Sequence, residues 1–140
     1  MLTFRPRNWT DAAPLYVWRH DPETVKWSIN PPPTWDEHLN FMNHAISVDT
    51  VKRWMGCMEE VSIVAVGLWE NGNVDVMVNP DMRGLGYGFD AIKYLKLYHN
   101  KNLTALIKAD NEASIQLFTK CGFKKVGIEI GDLMLWRWTP

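Results

Sequence analysis

The chain of 140 residues lacks the marks of several common protein classes. It has two cysteines, Cys57 and Cys121, and no Cys-x-x-Cys pair, which argues against a disulfide framework and a zinc knuckle. Its four histidines, His20, His38, His44 and His99, show no metal-ligand spacing, so no metal is expected. No long apolar run exists. The longest, Val61 to Trp69, covers at most about half a membrane span, and no membrane association is expected. Residues Met1 to Arg7 hold no apolar segment of a secretory signal, which points to a cytoplasmic protein. Charge of one sign is not in excess either: 15 Lys and Arg stand against 16 Asp and Glu. A nucleic-acid surface would be strongly basic, so no nucleic-acid partner is expected. Repeats and low-complexity linkers are absent as well, and the length suits one domain over residues 1–140.

What the chain does have is tryptophan, eight residues in 140. That exceeds the needs of a core this size, so some should face a ligand. Around them the hydrophobic periodicity lays out a sequence of elements. Leu2–Arg7 reads as a strand. Thr10 or Asp11 can cap a short helix, which Arg19-His20-Asp21-Pro22-Glu23 breaks. Pro31-Pro32-Pro33 is extended. Thr34 and Glu37 then have capping-box spacing, and Trp35, Leu39, Met42 and Ile46 form one helical stripe to about Ser47. Trp35 is therefore expected in the core. Lys52–Glu59 and Val61–Glu70 read as strands. Asn71-Gly72 predicts a type I′ hairpin into Val74–Val78, with Trp69 opposite Val74, Val66 opposite Met77, and Asp75 on the face of Leu68 and Met77. Asn79-Pro80-Asp81 ends that strand. Helices at 89–100 and 112–120 flank a strand at 104–108, Gly122 ends the second helix, and strands near 123–130 and 133–138 close the chain. The pattern is an α+β domain with one mixed, mostly antiparallel sheet and helices on both faces.

Between strand and helix lies Arg83-Gly84-Leu85-Gly86-Tyr87-Gly88. Glycines let successive backbone N–H groups converge, and a following helix adds its positive dipole end, so the loop suits a pyrophosphate. The third glycine comes one residue too early for a dinucleotide fingerprint, and Gly-Lys-Ser/Thr of a Walker loop is absent. The spacing Arg-x-x-Gly-x-Gly resembles the acetyl-CoA pyrophosphate loop of the GNAT superfamily of N-acetyltransferases. Asn111-Glu112-Ala113-Ser114, opening a helix that ends in Cys121-Gly122-Phe123, is similar to that superfamily's downstream segment. The order and separation of the two motifs also match, and the likeness extends over the whole chain.

The resemblance implies the GNAT fold and acetyl transfer from acetyl-CoA to a primary amine. It assigns Arg83, Gly84, Leu85, Gly86, Tyr87 and Gly88 to the pyrophosphate. In the family the preceding strand splays at a bulge and its backbone pairs with the pantetheine. Here that strand end is Met77, Val78 and Asn79, one of whose N–H groups would polarise the thioester carbonyl. Asn111 would bond the pantetheine arm, with Ser114 and Phe118 on the same helix. Many members carry Tyr at the position of Phe118 to protonate the departing thiolate. Phe cannot, which leaves Ser114, Tyr87, a water, or departure as the thiolate itself. Asp75, a charge in an apolar strand, is the candidate base through water, the other reading being an ion pair or a solvated face. Glu70 reads as solvated, and Cys121, at a helix C-terminus, as packing.

Acceptor sites in the superfamily are built from the early helices and the final hairpin, which here carry Trp18, Trp27, Trp35, Trp136 and Trp138. Arg19, His20, Trp27 and Trp136 are the acceptor-site candidates, since aromatic walls stack on sugars and Arg or His suits phosphate. Arg19 through Glu23 and Thr34 through Leu39 resemble two branches: amino-sugar nucleotide acetyltransferases and Rim-type ribosomal-protein N-terminal acetyltransferases. A small-molecule amine, foremost an amino-sugar nucleotide, is the first expectation. A peptide N-terminus and a non-catalytic acyl-CoA-binding module are the alternatives, and the chain is expected to be a monomer or homodimer.

Overall fold

The computed structural model describes residues 1–47 and 52–140, and of residues 45–47 and 128–130 it describes the backbone alone. The chain runs β1 (Thr3–Pro6), α1 (Ala12–Arg19), α2 (Pro22–Trp27), α3 (Trp35–Ser47), β2 (Lys52–Met58), β3 (Val61–Leu68), β4 (Val74–Val78), α4 (Tyr87–His99), β5 (Leu103–Lys108), α5 (Glu112–Lys120), β6 (Lys124–Ile130) and β7 (Leu133–Trp138). It is an α+β fold in which antiparallel sheets are flanked by helices.

Local signals set most boundaries. The Thr34–Glu37 capping box forms: Glu37 N donates to Thr34 Oγ1 at 3.3 Å and Thr34 N donates to Glu37 Oε1 at 2.9 Å. Gly122 terminates α5 with φ of +87°. The helix α2 corrects the expected break at 19–23. Asp21, extended, accepts from Glu23 N (3.2 Å) and Thr24 N (3.3 Å), and Pro22 sits in the first helical position. The residues that stop α1 therefore start a second helix. Asp11, expected as a possible cap, lies at the N-cap position of α1 without capping it. Its carboxylate is buried and takes two bonds from Arg5, 2.7 and 2.8 Å, and one from Asn8 N at 3.0 Å.

The hairpin differs from the type I′ expectation. Trp69 N donates to Asn73 O at 2.8 Å, and Gly72 N donates to Trp69 O at 2.9 Å, so three residues form the loop. Gly72 has φ of +85° and Asn71 is not left-handed. A type I turn followed by a left-handed glycine replaces the paired positive φ angles of type I′. The register shifts by one: Leu68 faces Val74, Gly67 faces Asp75 and Ala65 faces Met77. A one-residue slip exchanges faces across the pair. Asp75 thus keeps the face of Met77 but not that of Leu68. It occupies the space that Gly67 leaves open, where a Cβ would stand 2.8 Å from Asp75 Oδ2.

The expected single mixed sheet is two antiparallel ones, β1-β2-β3-β4 and β5-β7-β6. Among the described residues they are joined by one parallel bridge, Asn73–Thr104, with Thr104 N donating to Gly72 O at 3.0 Å. Beyond that vertex β4 and β5 diverge unpaired. The expected bulge in β4 is absent, since its register with β3 is unbroken from Val74 to Val78. The splay arises where β5 leaves β4.

Strand alternation sends side chains to two cores. Trp54, Val64, Val66, Leu68 and Val74 pack with Ala91, Ile92 and Leu95 of α4 and Phe118 of α5. Met55 and Ala65 pack with Ala12, Leu15 and Trp18 of α1 and Met42 of α3. Trp18, expected at the acceptor wall, belongs to this second core. Trp35 corrects the opposite expectation. At the first position of α3 it lies beyond the sheet, 42% exposed, and packs edge-on against Tyr16 at 5.0 Å. The Ile46 side chain lies outside the described residues.

Candidate active site

The glycine loop joins the mouth of the V to α4. Asn79 ends β4 by accepting from Asp81 N and donating from Nδ2 to Ser62 O, both 3.0 Å. Gly84 and Gly86 are left-handed, with φ of +76° and +87°, and a Cβ on either would meet nothing within 4 Å. Gly88 differs: it is helical, and a Cβ there would stand 3.0 Å from Leu117 Cδ2, so its smallness serves packing of α4 against α5. Leu85 is exposed, and Tyr87 packs against the main core.

The N-terminus of α4 carries the clearest signal. Side-chain oxygens of Asn8, Asp21, Thr34 and Asn111 accept backbone N–H groups at the starts of the first 3-10 turn, α2, α3 and α5. Gly86, the N-cap of α4, offers none. The first-turn N–H groups of this 13-residue helix have no side-chain acceptor there and the dipole end is open, a geometry that suits an anion.

Arg83 turns away from this end. Its Nη2 donates to Asp21 Oδ2 at 2.7 Å and Thr24 Oγ1 at 2.9 Å, fastening the loop to the start of α2. That hydrogen bond is the main cause holding the Asp21 carboxyl below its usual range.

The edge of β4 follows from one bond. Asn79 N donates to Ile63 O at 2.8 Å, so in the antiparallel ladder residues 73, 75, 77 and 79 turn their backbone groups to β3. Val76 and Val78 turn theirs into the V. Of the expected Met77, Val78 and Asn79, the structure thus brings Val78 to the opening, turns Met77 and Asn79 to β3, and adds Val76. Strand alternation could have found Val76 had the register been known.

Across the V, Asn111 caps α5: its Oδ1 accepts from Ser114 N at 3.3 Å and its Nδ2 donates to Ser114 Oγ at 3.0 Å. Ser114 and Asn111 are therefore brought together. Phe118 is buried, its ring edge-on to Phe123 at 4.9 Å.

Asp75 is exposed on the α1/α3 side of the sheet. Trp69 Nε1 donates to its Oδ2 at 3.0 Å, and Arg7 Nη2 stands 4.0 Å from its Oδ1. Arg53, buried, lies between the rings of Phe41 (4.9 Å) and Trp69 (4.8 Å), and Arg19 lies over Phe41 at 5.6 Å. Burial lowers the pKa of all three arginines, that of Arg7 to about 10, while Asp75 counteracts it. Arg7, Arg53, Phe41 and Trp69 are not legible in the sequence as neighbours of Asp75 and Arg19, because only the tertiary fold assembles them.

The remaining acceptor candidates are dispersed. His20 Nδ1 lies 2.8 Å from Tyr16 O on the exposed side of α1. Trp27 lies under the Lys26 ammonium at 4.7 Å. Trp136 packs against the main core, and its indole N–H is buried without a partner. A surface hollow of about 510 Å³ lies elsewhere, at Glu70–Gly72, His99, Lys101, Asn102 and Pro140, on the hairpin side of the vertex. The uncapped helix end and the open strand edge lie apart from this hollow. Among the described residues no group of three or more His, Cys, Asp or Glu is arranged to hold a metal ion, and no helix is long and apolar enough to cross a membrane.

Residues 1–124 match the family described as acetyltransferase (GNAT) domain. A comparison with curated proteins gives no significant match. Among solved structures, spermidine N-acetyltransferase from Vibrio cholerae, in complex with CoA and spermine, superposes with a TM-score of 0.88 at 18% identity, covering 99% of this chain and 95% of that one. A domain from Methanocaldococcus jannaschii gives 0.83 at 21%, covering 100% and 99%. An aminoglycoside acetyltransferase in complex with coenzyme A gives 0.80 at 17%, covering 99% and 95%. At these identities the likeness concerns the fold.

Proposed function

The chain belongs to the GNAT acetyltransferase family, and on that premise we propose that it transfers an acetyl group from acetyl-CoA to the primary amine of a small molecule. The observation that carries the reading is the uncapped N-terminus of α4, with the open Gly84 and Gly86, placed at the mouth of a V whose β4 edge is unpaired.

Backbone N–H groups of 84–88 bind the pyrophosphate with the helix dipole behind them. The outward N–H and C=O groups of Val76 and Val78 pair with the pantetheine amides, as a neighbouring strand would. Acetyl-CoA supplies the activated acyl group and a thiol leaving group. An outward N–H of β4 is fixed by the unbroken β3–β4 register and donates to the thioester carbonyl without reorganising. Asp75, exposed on the acceptor side two residues from Met77, takes the ammonium proton through water. Phe118 donates nothing, but a thiol pKa near 8.5 makes the leaving group tolerable, and the Ser114 hydroxyl, one turn before Phe118 on α5, is the candidate donor.

Relatives of this fold that act on spermidine and on aminoglycosides support a small amine. Amino-sugar nucleotides come first in the panel, on the likeness of residues 19–23 and 34–39, and ribosomal-protein N-termini second. The buried Phe118 favours one other reading, a binding module without turnover. Thiol release from acetyl-CoA over amino sugars, their nucleotides, polyamines and peptides tests this. Turnover on at least one small amine is expected, and tight CoA binding with no turnover on any would leave the binding module.

A further inference from the structure

Three guanidinium groups from three elements converge on one carboxylate. Arg7 follows β1, Arg19 ends α1 and Arg53 lies on β2, and all three interact electrostatically with Asp75 of β4. Among the described residues Asp75 is the one carboxylate that acts on all three, and Asp11, itself paired with Arg5, acts on Arg7 as well. Asp75 does not neutralise even its nearest neighbour well: the Arg7 pair is at 4.0 Å, beyond hydrogen-bond distance, while the Asp75 carboxylate accepts from Trp69 instead. Arg7 Nε donates to Trp54 O at 3.1 Å, Arg53 Cζ lies 4.9 and 4.8 Å from the Phe41 and Trp69 ring centroids, and Arg19 Cζ lies 5.6 Å from that of Phe41, so all three side chains are anchored. Several anchored, partly buried guanidinium groups beside an exposed edge at Asp75 and Trp69 suit a carboxylate or phosphate oxyanion.

Resting on the acetyl-transfer reading, we propose that Arg7, Arg19 and Arg53 recognise an anionic group on the acceptor, so that the substrate is a zwitterionic amine bearing a carboxylate or phosphate. Asp75 sits at the border of the cluster and takes the ammonium end, while the arginines take the oxyanion end. The β4 strand runs from Asp75 toward the glycine loop, so an arm laid along Val78 and Val76 from the loop ends beside this cluster. The same arrangement repels polycations such as spermidine, although a spermidine enzyme shares the fold.

The test uses matched amines with acetyl-CoA: an α-amino acid against its carboxamide, glucosamine 6-phosphate against glucosamine, and spermidine. The anionic member of at least one pair should have a kcat/KM about tenfold or more above its neutral partner, and which pair does so separates carboxylate from phosphate. In Arg19→Gln, and in Arg53→Gln if it folds, that ratio should collapse toward one. Equal use of neutral partners, preference for spermidine, or a ratio surviving Arg19→Gln overturns the proposal. If no amine turns over, inorganic phosphate is titrated calorimetrically into the chain saturated with CoA. Binding that Arg19→Gln abolishes upholds the cluster, and no binding at tens of millimolar refutes it. Failure of CoA to bind counts against the acetyl-transfer reading alone. Phosphate titrated into Gly86→Asp, with the loop blocked, then reads the arginines separately.

Discussion

Replacing Gly86 by Asp separates the stability of the fold from the binding of acetyl-CoA. A Cβ at Gly86 meets nothing within 4 Å, so the substitution is free of clash. Its cost is conformational: φ of +87° is left-handed, about 1–2 kcal/mol for an L-residue and toward the low end for Asp. Against this, a carboxylate at the bare N-terminus of α4 gains about 0.5–1 kcal/mol from the dipole and the free N–H groups. The melting temperature should therefore move little. Binding should respond differently. A carboxylate about 5 Å from two phosphate charges costs about 0.8 kcal/mol per charge at the dielectric of water and about 3 at an effective constant near 20. An intermediate total of about 2–4 kcal/mol raises the Kd for acetyl-CoA about 30- to 1000-fold. Calorimetric titration of wild type and variant, with urea unfolding of both, is the assay. If the affinity changes less than threefold, the loop does not bind the pyrophosphate. If affinity and stability fall together, the substitution has merely damaged α4.

Other substitutions read other parts of the molecule. Asp11→Ala leaves Arg5 and Asn8 N without their shared acceptor, and since Asp11 is buried the loss should be about 2–4 kcal/mol in urea unfolding. Asp21→Asn keeps the cap of α2 but weakens the hold on Arg83. If Arg83 serves the phosphates, acetyl-CoA should bind more tightly in this variant, and unchanged affinity would assign Arg83 to the loop–α2 fastening alone. His38 is buried with its pKa lowered from 6.5 mainly by desolvation. Below about 6.5 the unfolded chain takes up a proton that the folded chain resists, so this contribution to stability is present above that pH and lost as the pH falls. The difference in unfolding free energy between wild type and His38→Gln should shrink from pH 7 to pH 5, and a constant difference would refute the assignment.

The parts of this molecule legible in the sequence are those governed by short-range chemistry. Thr34 and Glu37 lie three residues apart, and their reciprocal bonds form wherever the backbone turns helical. The limits of α5 follow from Asn111 and Gly122 for the same reason. The hairpin register was not legible because Asn71-Gly72 suits both a two-residue turn and a three-residue loop, and only the bond from Trp69 N to Asn73 O distinguishes them. That single residue decides which groups of β4 face the V. The helix α2 was missed because Pro22 both stops one helix and opens another. The left-handed glycines and the open start of α4 were legible, since those residues are contiguous. The arginine cluster was not: Arg7, Arg19, Arg53 and Asp75 are spread over 69 positions in a chain of net charge −1, and a balanced total conceals a local imbalance.

The unpaired edge of β4 has a further bearing on how the protein behaves in solution. Val76 and Val78 present free backbone donors and acceptors beside apolar side chains, with no proline or lysine among Val74–Val78 to deter another strand. Such an edge is the kind on which strands of separate chains pair. A ligand that pairs with this edge acts as a cap on polymerisation as well as a reactant, and preparations saturated with CoA should resist aggregation at concentrations where the free chain does not.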